Sequence, residues 1–348
     1  MIDTIKIYTM INKDTYEKIY HNSILKTSYN QKDGEIFYEI VNDKLEGSYS
    51  SSLSVRVGSG VKYKFINMYY LELEGSFHKI MRGYNSHNGF YNLSEIVKYL
   101  IGAVEYAYKI KLPSLRHWFL QRCDIAICFD LSSNEKVKKY INNLSFCNYP
   151  RRNIKHYQDE SLYCTGTTTT LKIYNKMLEF KKHDMKKLFN SNFNIDNYLE
   201  EIKGFIRFEC EIKKKKLEDC FKSKYIRVIN VNYEDLKSVW SEEFMKLLKF
   251  FESDLTIVRT KDEIERRIYT AYSNNERKAR ILYNFYTSIV LDGLNIVKAR
   301  TPSSTFYDNI NLLKELNIDF NQKYKLVEEN EIIDFNPFEC REVSWYED

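Results

Sequence analysis

Leu171-Lys172-Ile173-Tyr174-Asn175-Lys176 and Arg207-Phe208-Glu209-Cys210-Glu211-Ile212 alternate apolar and polar residues with a period of two. Side chains on a strand point to opposite faces in turn, so each stretch reads as a strand with one greasy side. Lys172, Tyr174 and Lys176 share the polar side of the first; Arg207, Glu209 and Glu211 share that of the second. Two further stretches repeat the pattern. Leu71-Glu72-Leu73-Glu74 puts its glutamates opposite its leucines, and Arg122-Cys123-Asp124-Ile125-Ala126-Ile127 puts Arg122 and Asp124 opposite Cys123, Ile125 and Ile127. More strands are expected at Ile5–Met10, Glu35–Val41 and Leu53–Val57, with helices at Leu93–Ile110, Asn134–Leu144 and Met177–Phe189. The expected fold is α+β: a one-sided antiparallel sheet, helices on its apolar face, and a site on the other face.

Past residue 225 the spacing turns helical, at Asp235–Glu252, Lys261–Tyr272 and Asn275–Leu291. Thr301-Pro302-Ser303-Ser304 then reads as a helix start, with Phe306, Ile310, Leu313 and Leu316 following at helical spacing. The expected division is a body at 1–224, a helical DNA-binding region at 225–330 and an acidic tail at 331–348. Asn275–Leu291 and Pro302–Leu316, with a spacer of about ten residues, suggest a winged variant of the helix-turn-helix or a plain helical subdomain.

The 348 residues suffice for a sizeable core. With 43% hydrophobic and 29% charged residues the composition is globular, and 4 Pro with 11 Gly excludes a disordered or collagen-like chain. Net charge is +5, too little to establish nucleic-acid binding alone, but it is unevenly spread. Lys213–Lys216 and Arg151, Arg152, Lys155 and His156 are basic patches, while acids crowd the last twenty residues. Seven cysteines without a CxxC pair suggest reduced core thiols. Met1–Lys6 reads as a strand rather than a targeting segment, and no apolar run approaches the ~20 residues that span a bilayer. A cytoplasmic protein is expected.

Half-polar sheets are common, so any one of the four faces is readily explained by solvation. Together they place acids on three strands and a Lys-Tyr-Lys group on the fourth. If the strands adjoin, Glu72, Asp124 and Glu209 are candidate ligands for Mg²⁺ or Mn²⁺, and Tyr174 a candidate nucleophile between Lys172 and Lys176. Arg122, Arg207 and Lys213 on these faces, Lys278 and Arg280 on the later helix, and Ser303, Ser304 and Tyr307 at the last helix's start are the DNA-contact candidates, with Asn309 beside them. Thr167–Thr170 either donate hydroxyls to phosphate or begin a strand. Tyr157 and Tyr163 are candidates for a second nucleophile or for base stacking, and His78 is the one histidine placed near the acids.

These residues, in this order, resemble the gene II/X replication proteins of filamentous phages and related plasmids. The resemblance runs from Met1-Ile2-Asp3 through Glu72–Asn85, Arg122-Cys-Asp124, Leu171–Glu179 and Phe205–Lys213 to Lys278–Tyr286 and the Thr301-Pro302 helix. It implies an initiator that nicks one strand of a circular origin. Its tyrosine, falling on Tyr174, takes up the 5′ phosphate and frees a 3′-OH primer; religation follows. It also implies Asp124, Glu209 and Glu72 as the acids, a divalent metal, origin DNA as partner, a host helicase and polymerase downstream, and a homodimer among the allowed assemblies. Where the family has Gly-His-Asn this chain has Gly83-Tyr84-Asn85, and no His-apolar-His pair occurs, so metal binding would fall to carboxylates, with His78 as a helper. Two rival functions remain: a non-catalytic origin-binding initiator, and a metal-dependent nuclease that hydrolyses DNA without a covalent adduct.

Overall fold

The computed structural model describes residues 1–23, 25–29, 36–46, 52–63, 66–145, 149–157, 160–189, 191–255, 261–316, 318, 335–340 and 342–343. Ten strands form one antiparallel sheet: β1 (Ile2–Ile11), β2 (Leu25–Tyr29), β3 (Ile36–Glu46), β4 (Ser52–Tyr63), β5 (Ile66–Ser76), β6 (Phe119–Asp130), β7 (Asn153–Tyr157), β8 (Ser161–Thr165), β9 (Thr169–Asn175) and β10 (Phe205–Lys213). Their order is β2-β3-β4-β5-β1-β6-β10-β9-β8-β7. The helices are α1 (Lys13–His21), α2 (Phe77–Arg82), α3 (Leu93–Tyr108), α4 (Asn134–Ser145), α5 (Lys176–His183), α6 (Met185–Leu188), α7 (Ile195–Glu201), α8 (Lys214–Phe221), α9 (Tyr233–Leu255), α10 (Lys261–Ala271), α11 (Glu276–Asp292), α12 (Leu294–Arg300) and α13 (Ser303–Glu315). The α+β class and the antiparallel sheet stand as expected.

Alternation decides which face is covered. Ile5 and Ile7 of β1, Leu71 and Leu73 of β5, Ile125 and Ile127 of β6, Leu171 and Ile173 of β9 and Ile206, Phe208 and Cys210 of β10 all enter one core. Ile96, Val97, Leu100 and Val104 of α3, Val137 and Ile141 of α4 and Trp240 and Phe244 of α9 close it from the other side. Each such aliphatic side chain stabilises the fold by about 1.5–3 kcal/mol when fully buried. Gly204, at φ +84°, is the turn residue just before β10; a Cβ there would sit 2.6 Å from Ser133 N, so the turn requires glycine.

Several placements correct the sequence reading. The basic run Lys213–Lys216 is split between two elements: β10 ends at Lys213, and Lys214 opens α8. The body core runs past residue 224, because Leu236, Val239, Trp240, Phe244, Leu247 and Leu248 of α9 belong to it. A separate core of Ile264, Ile268, Leu282, Phe285, Ile289, Phe306, Ile310 and Leu313 unites α10, α11 and α13. The spacer expected between two recognition helices holds a helix of its own, α12, and among the described residues no strand forms a wing there. Asn309, read as a DNA contact, is 8% exposed.

The six described cysteines are free thiols; four are buried and Cys220 and Cys340 are exposed, while Cys147 lies outside the described residues. Most of the acidic tail also lies outside them, but Phe335 packs beside Phe129, Tyr140 and Phe208, and Glu342 pairs with Lys237 at 2.7 Å. No helix among the described residues is long and apolar enough to cross a membrane.

Candidate active site

The polar face is partly roofed. After β9, Asn175 caps α5, its side chain accepting from Leu178 N–H, and the chain swings over the sheet. Phe180, Leu188, Tyr198, Ile202 and Phe205 then form a small second core above β10. Tyr84, which stands where the related family has histidine, is one of its members: its ring lies 4.7 Å from Phe193 and 5.0 Å from Tyr198. The position is a packing site here, not a ligand.

Beside this roof lies a cavity of about 500 Å³ whose walls include Asp3, Lys79, Asn85, Glu160, Tyr163, Lys172, Tyr174, Glu179, Lys182, His183 and Glu209. Pairing of β9 with β10 sets Lys172 against Glu209 and Tyr174 against Arg207. Tyr174 Oη donates to Glu209 Oε2 at 2.8 Å, and Lys172 Nζ donates to Glu209 Oε1 at 2.7 Å. One carboxylate therefore joins the tyrosine to an ammonium. Burial pushes the Tyr174 phenol well above its usual pKa, with Arg207 opposing and Glu209 reinforcing, so the resting residue is a neutral donor. Lys172 is held in its charged form: burial disfavours the charge, but Glu209 and Asp124 outweigh it.

Arg207, expected to touch DNA, is fully buried beneath this group. Its guanidinium donates to Ser86 O at 2.7 Å and Asn85 Oδ1 at 3.2 Å, and lies 3.1 Å from Asp3 and 3.8 Å from Glu209. It is an internal cation that positions two acids. Asp3 also accepts from Ser76 Oγ–H at 2.8 Å. Burial alone would raise the Asp3 carboxyl, yet Arg207, His78 and Ser76 hold it at about 2. Lys176, read as a partner of Tyr174, lies past the strand's end and is fully buried against Glu179 at 2.7 Å.

The other acids are elsewhere and are occupied. Glu72 pairs with Lys6 at 3.0 Å and Arg56 at 3.2 Å. Asp124 accepts a two-pronged bond from Arg122, at 2.8 and 2.6 Å, and Arg122 also reaches Glu74 and Glu211. Burial pushes the Asp124 carboxyl up to about 7 against the pull of Arg122. Neither Glu72 nor Asp124 lines the cavity. Among the described residues, no group of three or more His, Cys, Asp and Glu is placed to hold a metal ion. His78 is also apart from it: the buried ring contacts Ile2 O at 3.0 Å and stacks on Phe90, and burial pushes its pKa down to about 4.

Of the basic candidates, Lys213 donates to Gly166 O at 2.7 Å, and Arg152 is tied to Glu243 and Thr169. Thr169 and Thr170 are buried in β9, and the Thr169 hydroxyl donates to Glu243. Lys278, Arg280, Ser303, Ser304 and Tyr307 are exposed on α11 and α13, with Lys278 Nζ 4.5 Å from the Tyr272 ring centre and Lys298 Nζ 5.6 Å from that of Tyr307.

Sequence reasoning did not find Asp3, Lys79, Asn85, Glu160, Glu179, Lys182 or His183. For the last group a signal existed: Glu179, Lys182 and His183 stand three and four apart on a helix that the Asn175 cap anchors beside Tyr174.

The sheet and its cavity define a protein that presents a buried tyrosine, bridged by a glutamate to a lysine, at the edge of a half-roofed polar face. Residues 1–235 match the family model for the N-terminal region of the phage gene II replication-associated protein. The chain belongs to this gene II family of rolling-circle replication initiators. No curated protein and no solved structure matches the chain.

Proposed function

We propose that this initiator nicks one strand of circular phage or plasmid DNA through Tyr174 and later recloses it. The observation that carries the reading is the Tyr174–Glu209–Lys172 chain of hydrogen bonds on a cavity wall. Tyr174 Oη attacks the scissile phosphorus as its proton passes to Glu209. Lys172 offsets charge on the five-coordinate phosphorus. The bond from phosphorus to the 3′ oxygen breaks, and that oxygen takes a proton from solvent. A 5′-phosphotyrosine and a 3′-OH primer result, and attack by a 3′-OH on the adduct reverses the step.

Mg²⁺ or Mn²⁺ was expected on Glu72, Asp124 and Glu209. These residues do not fit the ion as arranged, since each acid is already neutralised by a different cation and the acids of β5 and β6 lie outside the cavity. Glu209→Gln is expected to slow nicking by about 10²–10⁴-fold, as loss of a proton acceptor does. Asp124→Asn and Glu72→Gln should leave nicking within about tenfold and act on stability instead, through the Arg122 and Lys6 pairs. Equal losses in all three, relieved by added Mn²⁺, would restore the three-acid site.

The α10–α13 region is the proposed duplex-reading part, because α11 and α13 expose cations and hydroxyls while Lys6, Arg122 and Lys213 of β1, β6 and β10 are paired with acids. Replacing Lys278 and Arg280 by serine should weaken origin binding and reduce its logarithmic salt slope by about two. Binding that keeps its wild-type salt dependence would place recognition elsewhere.

A further inference from the structure

On the outer strands β7 and β8 the polar face carries aromatic rings beside lysines. Register places Lys155 against Tyr163, Tyr163 against Lys172, and Lys172 against Glu209, in one row across four strands. The adjacent row runs from Tyr157 through Ser161 to Tyr174. Tyr157 and Tyr163 lie edge to face with ring centres 5.4 Å apart, and both line the cavity that holds Tyr174. Tyr157 is 48% exposed, and Lys155 is exposed beside it. Sheet edges often carry lysine to block unwanted strand pairing, which accounts for Lys155 alone. That does not account for two tyrosines turned to the cavity side, since Leu162 and Cys164 of β8 and Ile154 of β7 pack on the core without them.

We infer that Tyr157 and Tyr163, with Lys155 and Lys172, form a stacking track for the single-stranded DNA that flanks the scissile phosphate. Unpaired bases stack on aromatic rings whatever their sequence, and lysines beside the rings follow the backbone. Paired bases have no free faces for such contacts, so the track selects melted DNA and delivers it to Tyr174. The rings are positioning residues and take no part in the chemistry. The inference rests on the nicking reading only for what the track delivers, not for the binding itself.

The test is fluorescence anisotropy at fixed salt with the full-length chain, a labelled thymidine oligonucleotide of about ten nucleotides, and a blunt hairpin duplex as control. Tyr157→Leu and Tyr163→Leu are each expected to weaken single-strand binding by about tenfold, while Tyr157→Phe and Tyr163→Phe stay within about twofold of the wild type. Hairpin binding and the thermal melt should be unchanged. Single-strand binding by both Leu variants within twofold of the wild type overturns the track. Equal losses for Phe and Leu overturn it too, since the hydroxyl rather than the ring would then matter, and so does an equal loss on the hairpin. Tyr174→Phe tests the nicking reading separately, because this binding assay needs no cleavage.

Discussion

Tyr174→Phe is expected to reduce nicking of a supercoiled plasmid carrying the chain's own origin by about a thousandfold or more. The same variant should bind that origin nearly as well as the wild type. The ring is buried and opposite Arg207, and phenylalanine keeps that packing. What disappears is Oη and its 2.8 Å bond to Glu209. Losing one such bond costs about 1 kcal/mol, and Glu209 keeps Lys172, so the fold should survive. A gel assay of supercoiled against open-circular DNA reads the effect. Near-normal nicking by the Phe variant would pass the nucleophile's role to Tyr163.

Arg207→Met carries the largest expected loss of stability, about 3–5 kcal/mol in urea unfolding. The methionine fits the space but leaves Asp3 without its guanidinium partner, deprives Glu209 of a nearby cation, and unbinds Ser86 O and Asn85 Oδ1. A buried Asp3 carboxylate that has lost its guanidinium partner is the damaging state, since Glu209 still holds Lys172. Adding Asp3→Asn to Arg207→Met should therefore recover part of the loss, although Asp3→Asn alone destabilises. Simple additivity of the two changes would show that the residues are not coupled.

How much of this was legible in the sequence follows from what alternation can and cannot say. It assigned the faces of β5, β6, β9 and β10, and so grouped Lys172 with Tyr174 and Glu209 with Arg207. It cannot name neighbours. β1 lies between β5 and β6, and its Lys6 takes up Glu72 and Glu74, which keeps those acids away from Tyr174. Asp3 was hidden by the same rule. Counting back by twos from Ile7 and Ile5 puts residue 3 on the core side, but a register shift between Ile2 and Ile5 turns Asp3 to the polar face. The strands β7 and β8 are five residues each, and β8 has only Leu162 and Cys164 turned to the core, too brief a pattern to recognise. Arg207 looked like a surface cation because nothing local announces the Ser86–Asn85 segment, 121 and 122 residues away, that buries it.

The central claim is a covalent bond between Tyr174 and the 5′ side of a nick. The chain should be incubated with supercoiled DNA containing its origin, quenched in denaturant, digested with nuclease and protease, and the nucleotide-bearing peptide sequenced by mass spectrometry. The expected result is a phosphodiester adduct on the Tyr174 side chain within Leu171–Lys176, absent from Tyr174→Phe. Nicked DNA with no protein attached, or an adduct on another tyrosine, would contradict the account.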